Sequence, residues 1–153
     1  PDALGNNQAT SEQYIAEFLE KHECKSPYQV HSIAPLLKVN DLVSFVEHME
    51  SSDYDCLLST EEIQIECVFK NLPIIFTFDS KTNSQKLEPV QRVSWSITGW
   101  KKDTFQQTVA SGHCATYSGK VGFYSISRLA AHVIKTEADL EFAEAVLPLV
   151  EKS

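Results

Sequence analysis

The stretch Gly119–Leu147, GKVGFYSISRLAAHVIKTEADLEFAEAVL, decides the fold. It reads as strand, loop and capped helix. Val121 and Phe123 fall on one side of an extended segment, with Gly122, Tyr124 and Ile126 on the other. That pattern predicts a strand buried on both faces. Thr136 followed three residues later by Asp139 has the Ser/Thr-x-x-acid form of a helix start. Leu140, Ala143, Val146 and Leu147 then recur at helical spacing.

Outward from this unit, the front of the chain is also α/β. Thr10-Ser11-Glu12-Gln13 is a capping box that opens a helix over 10–22, whose apolar face is Tyr14, Ile15, Phe18 and Leu19. After the Ser26-Pro27 break, residues 28–33 have strand character and end at Ala34-Pro35. Asn40 is placed to cap a second helix with the stripe Leu42, Phe45, Val46 and Met49, and Cys56-Leu57-Leu58 follows as a short buried strand. Further on, Ile63, Ile65, Cys67 and Phe69 alternate with other residues, as do Ile74, Phe76 and Phe78, with a turn at Asn71-Leu72-Pro73. Residues 79–85 read as a polar loop. Val93, Trp95 and Ile97 give another strand, stopping at Gly99, and residues 101–112 show no clear period. Strand, helix, strand at the front implies a right-handed crossover and a parallel sheet. The middle reads as a mostly antiparallel insertion or arm.

The totals bound the class. At 153 residues a single domain is expected, and 42% apolar with 10% aromatic residues is globular rather than disordered. No apolar run approaches the roughly 18–20 residues that cross a bilayer, so no membrane span is expected. The net charge is −8 and the pI about 5.0, with no basic block to offset it, which argues against nucleic acid as a partner. Cys24, Cys56, Cys67 and Cys114 are widely spaced without a C-x-x-C pair, so zinc and redox motifs are not indicated and a reducing, cytoplasmic setting is. The chain opens PDALGNNQAT, loop-like and without an initiator Met. It reads as a cut through something longer.

The closing unit resembles the C-terminal end of the CMP-sugar synthetases, the acylneuraminate and 3-deoxy-manno-octulosonate cytidylyltransferases: a Gly-Lys-led strand, a run that is Asp-rich in the family, then a helix bearing an Ala-Glu pair, here Ala143 and Glu144. The resemblance extends along nearly the whole chain. Pro1-Asp2-Ala3-Leu4 is similar to the family's Arg-Pro-x-x-Leu loop. His31-Ser32-Ile33-Ala34-Pro35 is similar to its Gln-x-Thr-Ser/Ala-Pro at the edge of the sugar-acid pocket, and residues 54–59 to its Asp-Ser-Val/Leu-x-Ser strand. This resemblance implies an α/β fold: an incomplete nucleotide-diphospho-sugar-transferase-like (Rossmann-like) mixed sheet, one truncated domain over 1–153, with 79–112 as a strand-rich dimerisation arm. It also implies CTP and a nonulosonic (sialic-like) sugar acid as partners, Mg²⁺ as cofactor and a homodimer. His31, Ser32, Gln85, Arg92 and Lys120 are the substrate-binding candidates it leaves.

Two departures stand beside these matches. The family's N-terminal glycine-bearing loop for CTP phosphates is absent, and no G-x-x-x-x-G-K-Ser/Thr replaces it: Gly119-Lys120 is followed by Val121, and position 114 is Cys. The family's metal-binding aspartates precede the last helix, where this chain has Val133 and Lys135. Only Glu137 and Asp139 remain as carboxylates for a magnesium ion, which needs hard oxygen ligands, and Asp139 reads as a helix cap before it reads as a ligand. Lys135 has an ammonium that can meet a phosphate as a point charge but cannot bind a metal. His31 reads as a sugar-carboxylate contact or a structural histidine; Arg92 as a bidentate carboxylate grip or a solvated strand charge. His113-Cys114 lacks a third group, Asp53/Asp55 and Glu61/Glu62 read as exposed loop charges, and Trp95 and Trp100 as core or interface residues. Two functions follow: a CTP-dependent cytidylyltransferase-type protein making a CMP-sugar, inactive as this chain stands, or a non-catalytic sugar-acid-binding or interaction module on the same scaffold.

Overall fold

The computed structural model describes residues 9–150. The similarity at Pro1-Asp2-Ala3-Leu4 therefore lies outside the described residues. The elements are α1 (Ser11–Lys21), β1 (Tyr28–Val30), α2 (Val39–Ser51), β2 (Cys56–Ile63), β3 (Val68–Phe69), β4 (Leu72–Pro73), β5 (Val90–Trp100), α3 (Lys102–Ala110), β6 (Val121–Ser125) and α4 (Glu137–Val150).

The main sheet has the order β1-β5-β2-β6. β5 runs antiparallel to both β1 and β2, and β2 runs parallel to β6. β1 and β2 are thus co-directional, as a strand–helix–strand unit requires, but β5 lies between them. This corrects the expectation of a simple parallel front. Residues 79–112, expected as the arm, include β5, which is bonded on both sides within the sheet; the segment that leaves it is 64–89.

Period two along β2 builds a three-layer molecule. Cys56 and Leu58 face one side and pack with Ile15 and Leu19 of α1, Phe105 of α3 and Trp100. Leu57 faces the other side and packs with Phe45 and Met49 of α2 and with Ile97. α1 begins at the expected box: Thr10 N–H donates to Gln13 Oε1 at 2.8 Å, and Gln13 N–H returns to Thr10 Oγ1 at 3.4 Å. Tyr14 and Phe18, expected on its buried face, are 46% and 45% exposed. The N-cap of α2 is Lys38 rather than Asn40, and the Asp41 carboxylate accepts the Lys38 N–H at 2.9 Å. β5 continues through Gly99 because a close approach is needed there. The Tyr28 ring lies 2.8 Å from where a Cβ would stand.

Two further expectations are corrected. β6 is an edge strand with Phe123 48% exposed, so it is not buried on both faces. The alternation over 63–78 does not make two long strands: β2 ends at Ile63, and only the short β3–β4 hairpin follows. Ile65, Val68, Phe69, Leu72 and Phe78 are all more than half exposed, since no second layer covers them among the described residues. The aperiodic 101–112 contains α3, anchored by one buried residue, Phe105. Likewise α4 buries only Ala143 of its apolar stripe.

β5 is broken by a wide bulge. Leu58 pairs with Thr98 and Thr60 with Val93, so Ser59 alone stands opposite residues 94–97. Trp95 sits in the bulge at φ +62°. Ser59 Oγ holds it together, accepting the Ile97 N–H at 3.0 Å and lying 2.8 Å from Ser94 Oγ.

Candidate functional site

In open α/β sheets ligands bind beyond the carboxyl ends of parallel strands. Here a cleft of about 1110 Å³ opens at those ends of β2 and β6. Glu61, Glu62 and Ile63 of β2 form its floor with Arg92 of β5; Ser125 and the loop after β6 form one wall, and Phe142 of α4 the opposite one.

The floor is an ion-pair network. Arg92 donates to Glu61 Oε2 from Nε at 3.0 Å and from Nη2 at 2.5 Å, and Nη2 also reaches the Ala131 carbonyl at 3.4 Å. Arg128 approaches Glu61 Oε1 through Nε at 3.7 Å, with a side chain 91% exposed. Ser125 Oγ donates to Glu62 Oε1 at 2.8 Å. The loop that carries Arg128 is fixed from below: Ser96 Oγ donates to the Ala130 carbonyl at 2.8 Å, and Ile134 N–H to the Ile33 carbonyl at 2.8 Å. His132 Nε2 donates to the Asp139 carbonyl at 2.9 Å and its ring stacks obliquely on Phe142, with centroids 4.8 Å apart. These contacts seat α4 beside the cleft.

Asp139 is a helix cap. Its Oδ2 accepts from Lys135 N at 3.0 Å, Thr136 N at 2.8 Å and Thr136 Oγ1 at 2.9 Å. These bonds, the Lys135 N–H first, hold its carboxyl below the usual carboxylate range. A carboxylate so engaged, beside an exposed Glu137, with Val133 and Lys135 in place of further oxygens, does not fit a magnesium ion. Among the described residues no group of three or more His, Cys, Asp or Glu is clustered to hold a metal ion.

The other candidates are dispersed. Arg92 lines the cleft, but its fork is committed to Glu61. His31 lies on the turn after β1, its N–H donating to the Ser96 carbonyl at 3.1 Å; Nε2 is buried with no partner among the described residues. Burial, with Lys135 nearby, lowers its pKa. Ser32 is exposed beside it. Gln85 is exposed on a 3₁₀ turn over 84–86, where its carbonyl accepts from Gln64 Nε2 at 3.3 Å. Lys120 stands at the other end of β6, its Nζ 2.6 Å and 2.7 Å from the Asp53 carboxylate and 5.2 Å above the Tyr54 ring. There Asp55 Oδ2 accepts the Lys120 N–H at 2.8 Å and Oδ1 accepts from Thr104 at 3.1 Å. Gly119, at φ +64°, makes room for that carboxylate, since a Cβ would stand 2.4 Å from Asp55 Oδ2. His113 Nδ1 lies 3.0 Å from Ser111 Oγ, while the Cys114 thiol donates to Glu12, so the two form no nucleophile–base pair.

Glu61, Glu62, Ser125, Arg128 and His132 are the cleft residues that the sequence reading left aside. A signal existed for the first two. They directly follow the buried run Cys56–Thr60, which places them at the carboxyl end of a strand.

No model of a known protein family matches the chain, and no curated protein sequence does either. Solved structures do share its fold. A 4-diphosphocytidyl-2C-methyl-D-erythritol synthase from Anaerococcus prevotii matches with a TM-score of 0.59 and 12% identity over 96% of this chain and 74% of its own. A CMP:2-keto-3-deoxy-manno-octonic acid synthetase in complex with CTP matches at 0.58 and 12%, over 94% and 70%. A Francisella tularensis 2-C-methyl-D-erythritol 4-phosphate cytidylyltransferase matches at 0.54 and 12%, over 92% and 69%. At such identity the likeness is one of architecture: the chain has the mixed α/β sheet of the cytidylyltransferases.

Proposed function

We propose that this chain is a cytidylyltransferase-type unit that binds a nonulosonic sugar acid in the cleft and does not transfer a nucleotide as it stands. The observation that carries the reading is the cleft itself. It lies at the carboxyl ends of β2 and β6, in a fold shared with a synthetase named for such a sugar acid, and offers charged, hydroxyl and aromatic groups together. In this reading Glu62 and Ser125 meet sugar hydroxyls, a guanidinium group meets the carboxylate, and Phe142 covers an apolar ring face. Inactivity is supported by the Asp139 cap, whose bonds to 135–136 leave, among the described residues, no clustered oxygen set for Mg²⁺.

The second reading keeps CTP as co-substrate, its phosphates held by sequence outside this chain; the fold similarity favours it. Isothermal titration separates the two. Heat with N-acetylneuraminate but not with CTP and Mg²⁺ supports the first, and turnover to a CMP-sugar replaces it with the second. Silence with every sugar acid removes both. The protein is further proposed to act as a cytoplasmic homodimer, the exposed apolar residues of the 64–89 arm forming the contact; four unpaired thiols agree with that compartment.

A further inference from the structure

We infer that Arg128 is the residue that recognises the ligand's carboxylate, and that the cleft accepts a single negative charge rather than a polyphosphate. The inference rests on the sugar-acid reading above and names the group responsible for it. The two guanidinium groups of the cleft differ in what they have left to offer. Arg92 spends Nε and Nη2 on Glu61 and shares Nη2 with the Ala131 carbonyl. Its charge is matched by a carboxylate whose side chain is only 13% exposed. Arg128 meets the same Glu61 only through Nε at 3.7 Å, and neither of its terminal nitrogens has a partner among the described residues. Its forked edge therefore remains available for the paired hydrogen bonds a carboxylate makes.

The charge balance sets the ligand's charge. Three carboxylates, Glu61, Glu62 and Asp139, and two guanidinium groups, Arg92 and Arg128, line the cleft; Glu61 pairs with both arginines, and Asp139 gives its Oδ2 to the backbone of 135–136. One additional anionic group can be accommodated by Arg128. Several would face Glu62 and Asp139 without compensation, so pyrophosphate or a nucleoside triphosphate is disfavoured by like-charge repulsion. The exposure of Arg128 also makes it replaceable without disturbing the core.

The test is titration calorimetry with N-acetylneuraminate, its neutral methyl ester and pyrophosphate, on the wild type, Arg128→Gln and Arg128→Lys, with circular dichroism to check folding. Losing a charge-assisted pair should weaken N-acetylneuraminate binding by roughly tenfold or more in Arg128→Gln, with partial recovery in Arg128→Lys. The wild type should discriminate against the methyl ester by a similar factor, and Arg128→Gln should not discriminate. Pyrophosphate should not displace the sugar acid. Equal binding by wild type and Arg128→Gln, retained discrimination in the variant, or displacement by pyrophosphate overturns the inference while leaving the sugar-acid reading intact. A wild type that binds no sugar acid at all removes that reading, and this inference with it.

Discussion

At the scale of single residues, the bulge in β5 is the most demanding site. A tryptophan at φ +62° pays a steric penalty of about 1–2 kcal/mol that glycine escapes. Trp95 nonetheless packs against the α1/α3 side of the core and near Tyr117. Both Trp95→Ala and Trp95→Gly should therefore destabilise, but the usual order reverses, with glycine retaining about 1 kcal/mol more than alanine in urea melts. The fully buried Ser59 hydroxyl is what satisfies the bulge backbone. Ser59→Ala leaves the Ile97 N–H without its acceptor, at a cost of about 1–3 kcal/mol by chemical denaturation. Neither residue was legible as special in the sequence. Alternation of Val93, Trp95 and Ile97 looks like an unbroken strand, and a left-handed tryptophan has no sequence signature.

At the scale of elements, legibility followed local chemistry. The Thr10–Gln13 box is a short-range hydrogen-bond pattern, and α1 starts where it says. The order Thr136-x-x-Asp139 likewise announces α4, and the same pattern explains why the Asp139 carboxylate is turned to the backbone of 135–136. Replacing Asp139 with alanine should shorten α4 and lower its helical signal, since the Lys135 and Thr136 N–H groups lose their side-chain acceptor. Where tertiary partners decide the outcome, periodicity misled. The alternation over 63–78 predicts strands, but a strand needs a neighbour to bond, and beyond Ile63 the sheet supplies none. α3 failed to show because a single buried Phe105 makes no period. The cleft stayed hidden for a related reason. Glu61, Arg92 and Arg128 come from three separate segments that only the β2–β5–β6 pairing brings together.

For the whole molecule, two predictions concern acid and assembly. Glu12 is partly desolvated, which raises its pKa, yet bonds from Thr116 and Cys114 outweigh this and hold it below its ordinary 4.5. Asp55 is held below 3.8, chiefly by the Lys120 N–H. A depressed folded-state pKa means stability that is complete above the unfolded value and lost as pH falls through the folded one. The urea midpoint should thus be flat above about pH 5 and fall below about pH 4. Glu12→Gln and Asp55→Asn should each be less stable near neutrality and show a shallower acid limb. If the 64–89 arm is a self-contact, sedimentation should give a mass above 17.2 kDa that Phe69→Lys with Leu72→Lys returns to that value. A wild type that sediments at 17.2 kDa at every concentration dismisses the dimer.

The two ends of β6 have divided their labour. The amino end is clamped by Asp55, Gly119 and Lys120, and the carboxyl end leads into the loop that lines the cleft. Because the groups are separated along the strand and share no partner, a change of preference at Arg128 and a loss of robustness at Asp55 should add independently in the double variant. Such a scaffold can trade one guest for another while its hinge pin stays untouched.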